Sequence, residues 1–182
     1  MNLVKTSIDG LFIIEPTIFK DKRGYFMESF NQKKFKNLFG EIVFLQDNES
    51  KSSKGVLRGL HFQKPPFAQT KLVRCLKGEI LDVALDLRKK STTYGQFETN
   101  FLSDKNKYEL FIPKGFAHGF IVLSETATIS YKVDNYYAPK YESGVLWNDK
   151  DLNIDWNIKP EDIILSDKDK NLLPLKKINS PF

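Results

Sequence analysis

The chain offers imidazole chemistry at only two positions, His61 and His118, and thiol chemistry at only one, Cys75. Imidazole gains and loses a proton near neutral pH, so the two histidines are the candidates for general acid or base catalysis and for metal binding. Each also has a plainer interpretation: His61 as a hydrogen-bonded histidine within a sheet, and His118 as a residue that closes a turn. Cys75 lies in an apolar alternation, which predicts a buried and unreactive thiol.

The segment that carries His61, residues 56–63, is predicted to be extended. Alternate side chains of a strand point to the same face, so Leu57, Gly59, His61 and Gln63 are expected to lie together. A glycine at 59 leaves room for a ligand or for the close approach of another backbone, and it equally marks a β-bulge. In this arrangement His61 projects into the interior of a barrel.

His118 follows a Pro-Lys-Gly turn at the start of a strand, where it is expected to face the same cavity as His61. These two histidine-bearing segments resemble those of cupins, which raises a metal site as an alternative. Two histidines exclude a three-histidine site but, with one carboxylate, they allow a facial triad for iron. Gln63 stands where a second histidine is expected, and no carboxylate stands at ligand spacing beside His61. The sequence therefore favours a site without metal and keeps an iron-dependent cupin oxygenase as the contrasting class.

Short extended segments separated by turn signals dominate the chain and predict an all-β fold. The clearest strand covers residues 79–88, where apolar and mainly polar side chains alternate, so one face is expected to pack and the other to be polar. Further strands are expected at 11–15, 24–29, 42–46, 56–62, 71–76, 108–113, 120–123 and 126–133. Short helices are expected at Gln32–Phe39 and after Ser166. The predicted architecture is a jelly-roll β-sandwich or small barrel.

The composition is that of one folded domain over residues 1–182, with 41% hydrophobic and 28% charged residues. No apolar run approaches the roughly 20 residues of a membrane-spanning helix, and the N-terminus lacks a leader pattern, so cytoplasmic residence is expected. The net charge is +5, but the lysines lie in mixed runs, which argues against a nucleic-acid partner and suits a small anionic substrate. Asp82, Lys71 and His61 are candidates to line a polar pocket, although each taken alone is more simply a solvent-facing residue.

Ordered segments over nearly the whole chain resemble the dTDP-4-dehydrorhamnose 3,5-epimerase family. The segments are 19–28, 46–50, 55–63, 65–73, 82–88 with 91–95, 113–120, 131–139, 147–149 and 165–169. The resemblance implies a cupin-like jelly roll that needs no cofactor and epimerises C3 and C5 of a dTDP-linked 4-keto-6-deoxyhexose through an enolate. It also implies a role in rhamnose-type cell-surface polysaccharide biosynthesis and assembly as a homodimer.

The resemblance implies three catalytic residues. His61 matches the general base, Asp169 the carboxylate that orients it, and Tyr131 the acid on the opposite face of the sugar. The enolate chemistry suggests a fourth: a cation such as Lys71, held in a dry pocket, would stabilise the enolate oxygen, and it could instead pair with Asp82 or do both. Without the resemblance, Tyr131 would be interpreted as core or rim packing and Asp169 as a surface residue.

The resemblance also implies a set of residues that contact the nucleotide and the sugar. They are Arg23, Glu28, Gln46, Asp47, Asn48, Arg58, Lys71, His118, Glu142 and Lys168. Arg23 and Glu28 are expected to act across the dimer interface, in the site of the partner. An enzyme that inverts one carbon only, or that moves the keto group, remains open, as does a sugar-nucleotide binding protein without turnover.

Overall fold

Thirteen strands and two short α-helices make up the computed structural model, which describes all residues 1–182. The strands are β1 Asn2–Lys5, β2 Phe12–Glu15, β3 Ile18–Asp21, β4 Gly24–Met27, β5 Gln46–Ser53, β6 Leu57–Gln63, β7 Lys71–Lys77, β8 Glu79–Asp86, β9 Phe97–Ser103, β10 Glu109–Ile112, β11 Phe116–Val122, β12 Thr126–Val133 and β13 Glu142–Gly144. The helices are α1 Gln32–Phe39 and α2 Asp167–Lys170, with single 3₁₀ turns at Pro139–Tyr141, Pro160–Asp162 and Leu175–Lys177. No helix is long and apolar enough to cross a membrane. The predicted all-β jelly roll with a few short helices is confirmed.

Two antiparallel sheets face each other and enclose the main core. The six-stranded sheet has the order β1-β2-β10-β7-β12-β5, and the five-stranded sheet has the order β13-β6-β11-β8-β9. Apolar side chains from both sheets meet between them, for example Val73 and Leu110 from the first sheet and Ile80 and Phe116 from the second. Strands β3 and β4 form a separate hairpin.

Each sheet is also covered on its outer face. Helix α1 begins where the side chain of Asn31 accepts a hydrogen bond from the Lys34 N–H, and it packs an aromatic cluster onto the six-stranded sheet. Within that cluster Phe39 stacks on Phe111 with ring centroids 3.9 Å apart. The C-terminal segment covers the five-stranded sheet with Leu152 and Trp156. Both sheets are therefore shielded from water on both faces over much of their area.

This double covering explains how β8 differs from expectation. Its alternation is as predicted, with Leu81 and Val83 packing on the outer cluster. The face predicted to be polar is not exposed, because it points between the sheets, where Asp82 and Asp86 are completely buried. Asp82 is hydrogen-bonded to His118, and Asp86 to other polar groups nearby.

The strand predicted at residues 42–46 is wrong. In the structure this segment is irregular and the strand begins at its last residue, as β5. Ile42 and Phe44 pack on the aromatic cluster of α1 instead of entering a sheet, and Leu45 donates a single backbone hydrogen bond to Val133. The strands β1, β3, β9 and β13 and most of β5 were not predicted, since their sequences lack a long apolar alternation.

A β-bulge in β6 changes which of its side chains share a face. His118 lies opposite His61, but Phe120 lies opposite Arg58, so β6 contains one more residue than β11 over this stretch. The predicted grouping is therefore found only in part: Leu57 borders the same cavity as His61 but also packs in the outer cluster, and Arg58 lines the cavity as well.

Gly59 makes this bulge possible. Its φ is +130°, and a Cβ placed on it would lie 2.5 Å from the Gly119 Cα and 2.9 Å from the His118 carbonyl oxygen. The sequence left two structural roles open for Gly59, a close approach of another backbone and a β-bulge. The structure shows both.

We predict that Gly59→Ala destabilises the protein more than Gly24→Ala does. Gly24 has a similar φ of +132°, but nothing lies within 4 Å of its missing Cβ. The control therefore carries the backbone strain alone, on the order of 1–3 kcal/mol, and Gly59→Ala adds the clash with β11. Urea unfolding of both variants measures the difference. Equal losses of unfolding free energy would show that the close approach contributes nothing.

Candidate active site

A cavity of about 610 Å³ opens between the sheets, within the size range of small-molecule sites. It is lined by side chains from β5, β6, β7, β11, β12 and β13 and from the C-terminal segment around α2. The predicted site residues among them are Gln46, Asn48, Arg58, His61, Lys71, His118, Tyr131, Glu142, Lys168 and Asp169. The fold therefore brings together residues that are spread over more than half of the sequence.

His61 and Asp169 form a short polar contact in the cavity. The Nε2 atom of His61 lies 2.5 Å from Oδ1 of Asp169, which is 3% exposed. Burial acts to raise the pKa of Asp169, but the hydrogen bond and charge of His61, helped by the Ser166 hydroxyl, outweigh it and leave this pKa below its ordinary value. An ionised carboxylate only accepts hydrogen bonds, so Nε2 carries the proton and Nδ1 keeps a free lone pair. This arrangement suits a general base.

Backbone contacts fix the C-terminal segment that carries Asp169. Ile164 forms a parallel bridge with Val56, donates to the Gly55 carbonyl oxygen at 2.8 Å and accepts from the Leu57 N–H at 2.9 Å. A Cβ on Gly55 would lie 2.3 Å from the Asp162 carbonyl oxygen, so only glycine allows this contact. The segment is thereby held beside the first residue of β6, four positions before His61.

A second histidine–aspartate pair lies beside the first. Nε2 of His118 is 3.0 and 2.9 Å from the two carboxylate oxygens of Asp82, and both residues are buried. Burial lowers the pKa of His118, while the charge of Asp82 and its hydrogen bond oppose this shift. Asp82 contacts His118 and forms no ion pair with Lys71, although its charge acts on that ammonium.

Lys71 presents an ammonium group to the cavity. Burial lowers the pKa of Lys71 to about 8, although the negative charges of Asp82 and Glu142 act in the opposite direction. A cation that has lost part of its hydration interacts strongly with a negative charge that develops beside it.

Tyr131 keeps its phenolic proton at neutral pH. It lies on β12, opposite Asn48 on β5, and packs against the core between the sheets. Burial raises the pKa of Tyr131, with a further contribution from Glu142 and an opposing one from Arg58. Tyr131 is therefore available as a proton donor.

Glu142 links two elements at the cavity. Its Oε2 accepts a hydrogen bond from the Tyr137 hydroxyl at 2.7 Å, and its Oε1 lies 2.5 Å from the Lys168 ammonium. Burial acts to raise the pKa of Glu142, but Lys168 and Tyr137 outweigh this effect and the pKa is lowered. The carboxylate is therefore ionised and holds α2 to the loop before β13.

Gln63, which ends β6, joins two loops at the cavity. Its amide nitrogen donates to the carbonyl oxygens of Phe67 and Tyr136 at 2.7 and 3.1 Å, and its amide oxygen accepts from the Ala138 N–H at 2.6 Å. Its side chain is thus fully engaged with backbone groups.

The metal-ligating residue types do not converge. No group of three or more His, Cys, Asp or Glu side chains is placed to hold a metal ion, and each histidine contacts its own aspartate. The iron triad considered from the sequence is not formed by these side chains. Cys75 is buried, as predicted, and burial raises the pKa of its thiol to about 11, which disfavours the reactive thiolate.

Comparison with known proteins identifies the family. Residues 5–177 match the family model described as dTDP-4-dehydrorhamnose 3,5-epimerase. The chain belongs to this family. The enzyme of that name from Shigella flexneri is 54% identical over 172 residues, which cover 94% of each chain.

Two solved structures of epimerases agree closely with this fold. The dTDP-4-dehydrorhamnose 3,5-epimerase of Elizabethkingia anophelis has a TM-score of 0.95 and 55% identity, covering 98% of both chains. The dTDP-6-deoxy-D-glucose-3,5-epimerase of Legionella pneumophila, solved in complex with dTDP-4-keto-L-rhamnose, has a TM-score of 0.94 and 48% identity, covering 98% of this chain and 94% of that one. The resemblance drawn from the motif segments is confirmed.

Three residues that the epimerase resemblance assigns to the substrate lie away from this cavity. Each pairs with another residue of its own chain: Arg23 with Asp21 at 2.6 Å, Glu28 with Lys34 at 2.6 Å, and Asp47 with Lys132 at 2.9 Å. The predicted role of Arg23 and Glu28 in the partner's site, across a dimer interface, stays a prediction.

Several residues that line the cavity were missed from the sequence, namely Ser50, Gln63, Gln69, Tyr137 and Ser166. All five lie inside matched epimerase segments, and Ser166 also carries the signal of a helix N-cap. The polar alternation of β5, in which every second side chain faces the cavity, was the signal for Ser50.

Proposed function

We propose that the protein converts dTDP-4-dehydro-6-deoxy-D-glucose into dTDP-4-dehydro-L-rhamnose by inverting C3 and C5, and thereby supplies rhamnose for cell-surface polysaccharide. The observation that carries the proposal is the convergence of the His61–Asp169 pair, Tyr131 and Lys71 on one cavity in a member of the epimerase family. The reaction needs no redox step, because the product is an isomer of the substrate.

Proton removal and proton return are assigned to different residues. C3 and C5 both adjoin the C4 ketone, so their protons are acidic enough for a general base to remove. Nδ1 of His61 takes the proton from one face, and the electron pair of the C–H bond becomes the enolate. Tyr131 then delivers a proton to the opposite face of the same carbon, which inverts it. The imidazolium is stabilised meanwhile by Asp169.

Lys71 is assigned to the enolate. The negative charge of this intermediate rests largely on the C4 oxygen, and a preorganised cation stabilises it more in a buried site than in water. Removing one such donor typically costs about 100- to 1,000-fold in rate.

The nucleotide diphosphate is assigned to the cationic side of the cavity. Arg58 is held by hydrogen bonds of 3.2 Å from its Nε and Nη2 atoms to the Ser52 hydroxyl, which leaves the rest of its guanidinium for phosphate oxygens. Gln46, Asn48 and His118 supply neutral polar contacts beside it.

Deuterium exchange tests the reaction. The protein is incubated with dTDP-4-keto-6-deoxyglucose in deuterated water, and proton NMR follows the exchange at each carbon. Deuterium is expected to appear at both C3 and C5. His61→Asn is expected to abolish exchange at both carbons because it removes the base. Tyr131→Phe is expected to retain some exchange but to lose most inversion, while Tyr94→Phe, at an exposed tyrosine away from the cavity, serves as the matched control.

The same spectra separate the alternatives. Deuterium at one carbon only would identify a mono-epimerase, and migration of the keto group a ketoisomerase. Tight binding of the nucleotide sugar without exchange would identify a binding protein. Full activity of Tyr131→Phe would refute the assignment of the acid.

The pH dependence of kcat/KM is expected to report the loss of the proton from Lys71. The pKa of Lys71 is about 8 in the free protein, so the cation is present below this pH and lost above it. We therefore predict that kcat/KM falls above about pH 8, while Tyr131, whose pKa is raised, stays protonated. Lys71→Arg keeps its charge at all these pH values and is expected to lack this fall, at a lower absolute rate. A fall near pH 8 that persists in Lys71→Arg would assign it to another group.

We also propose that the enzyme is a cytoplasmic homodimer whose sites are shared between subunits. The hairpin β3–β4 supports this, because it exposes Phe19, Tyr25 and Phe26 around Arg23, whose own side chain is 84% exposed. Aromatic rings and an arginine are suited to a nucleobase and a phosphate of a neighbouring site.

Mixing two inactive variants tests the shared site. Arg23→Ala and His61→Asn are each expected to lose activity as homodimers. If Arg23 serves the partner's site, a mixed dimer contains one site with both native residues, and activity is expected to return after the subunits exchange. Light scattering gives the oligomeric state of each sample. No recovery in a proven mixed dimer would place both residues in sites within one subunit.

A further inference from the structure

Ser166 contacts the carboxylate of Asp169 on the side away from His61. Its hydroxyl donates to Oδ2 of Asp169 at 2.8 Å, while Oδ1 faces His61 at 2.5 Å. The Asp169 N–H in turn donates to the Ser166 hydroxyl oxygen at 3.2 Å, so the two residues are joined twice. The side chains of Ser166, Asp169 and His61 thus form one continuous hydrogen-bonded chain that ends in the cavity.

A carboxylate with one bonded oxygen is free to turn about its terminal torsion, which has a broad energy profile. The second bond, from Ser166, fixes the plane of the Asp169 carboxylate and therefore the direction in which Oδ1 points. It also satisfies Oδ2, which would otherwise be a charged acceptor buried without a partner. The same bond contributes to keeping Asp169 ionised.

We infer that Ser166 is a positioning residue for the proton transfer by His61, acting through Asp169. This inference rests on the proposed function for its catalytic consequence. Ser166 fixes the orientation of the Asp169 carboxylate, and the carboxylate fixes the orientation of the His61 imidazole. Nδ1 of His61 is thereby held toward the sugar. Ser166 itself does not take part in the transfer.

Ser166 is also the N-cap of α2, so a merely structural role must be separated from the positioning role. Glycine is a fair N-cap, costing only a few tenths of a kcal/mol relative to serine, but it has no hydroxyl. Threonine provides both the cap and the hydroxyl. Ser166→Gly therefore removes the donor with little effect on the helix, and Ser166→Thr is its matched control.

A double-mutant cycle with Asp169→Asn tests the inference. Ser166→Gly is expected to lower kcat for epimerisation about 10- to 100-fold, the value of a hydrogen bond to a charged group, with KM little changed. Ser166→Thr is expected to restore most of the rate. In the Asp169→Asn background, Ser166→Gly is expected to cause no further loss, because the carboxylate through which it acts is gone. An equal loss in both backgrounds, or no loss in either, would overturn the positioning role.

Proton NMR of the imidazole N–H groups gives a readout that needs no substrate. The Nε2 proton of His61, assigned by its absence in His61→Asn, is expected to be protected from exchange in the native protein and in Ser166→Thr. In Ser166→Gly this signal is expected to broaden or disappear, while that of His118, bonded to Asp82, stays unchanged. An unchanged His61 signal in Ser166→Gly would contradict the inference. Absence of substrate exchange in the native protein, with the NMR result intact, would instead refute the proposed function alone.

Discussion

The contact between His61 and Asp169 is the constraint on which the rest of the site depends. It joins two residues 108 positions apart, one on a central strand and one on a short C-terminal helix. That contact requires the C-terminal segment to return across the five-stranded sheet and to dock beside β6 through Ile164. The apolar cluster around Trp156 serves the same end, since it holds this segment on the outer face of the sheet.

Most basic side chains in the cavity are paired with an acidic side chain. His61 has Asp169, His118 has Asp82, and Lys168 has Glu142, while Lys71 has no ion-pair partner. Charges taken from water are costly unless paired, so the couples lower the cost of a polar cavity. The ammonium of Lys71 makes no direct ion pair within the protein, although the charges of Asp82 and Glu142 act on it, and it is therefore free to contact a negative charge on the substrate.

Much of this molecule could be predicted from local pattern. Helix α1 was predicted with its observed bounds, and the alternation of β8 was correct, because both depend on periodicity within one segment. Whether Asp82 faces solvent or a pocket was left open by the sequence, since burial of its face depends on a second sheet. The alternation predicted for β6 did not group Arg58 with His61, because a bulge shifts the parity of the strand. Asp169 was predicted as a site residue only from the family resemblance, because no local signal shows that its segment returns to β6.

Gln63 has a consequence for motion. Its one amide group bonds to backbone atoms of Phe67, Tyr136 and Ala138, which belong to the two loops that follow β6 and β12. Neither loop can move away without breaking the bonds of this amide, so the energetic cost of opening one is shared with the other. The two loops are therefore expected to open as a single cooperative unit.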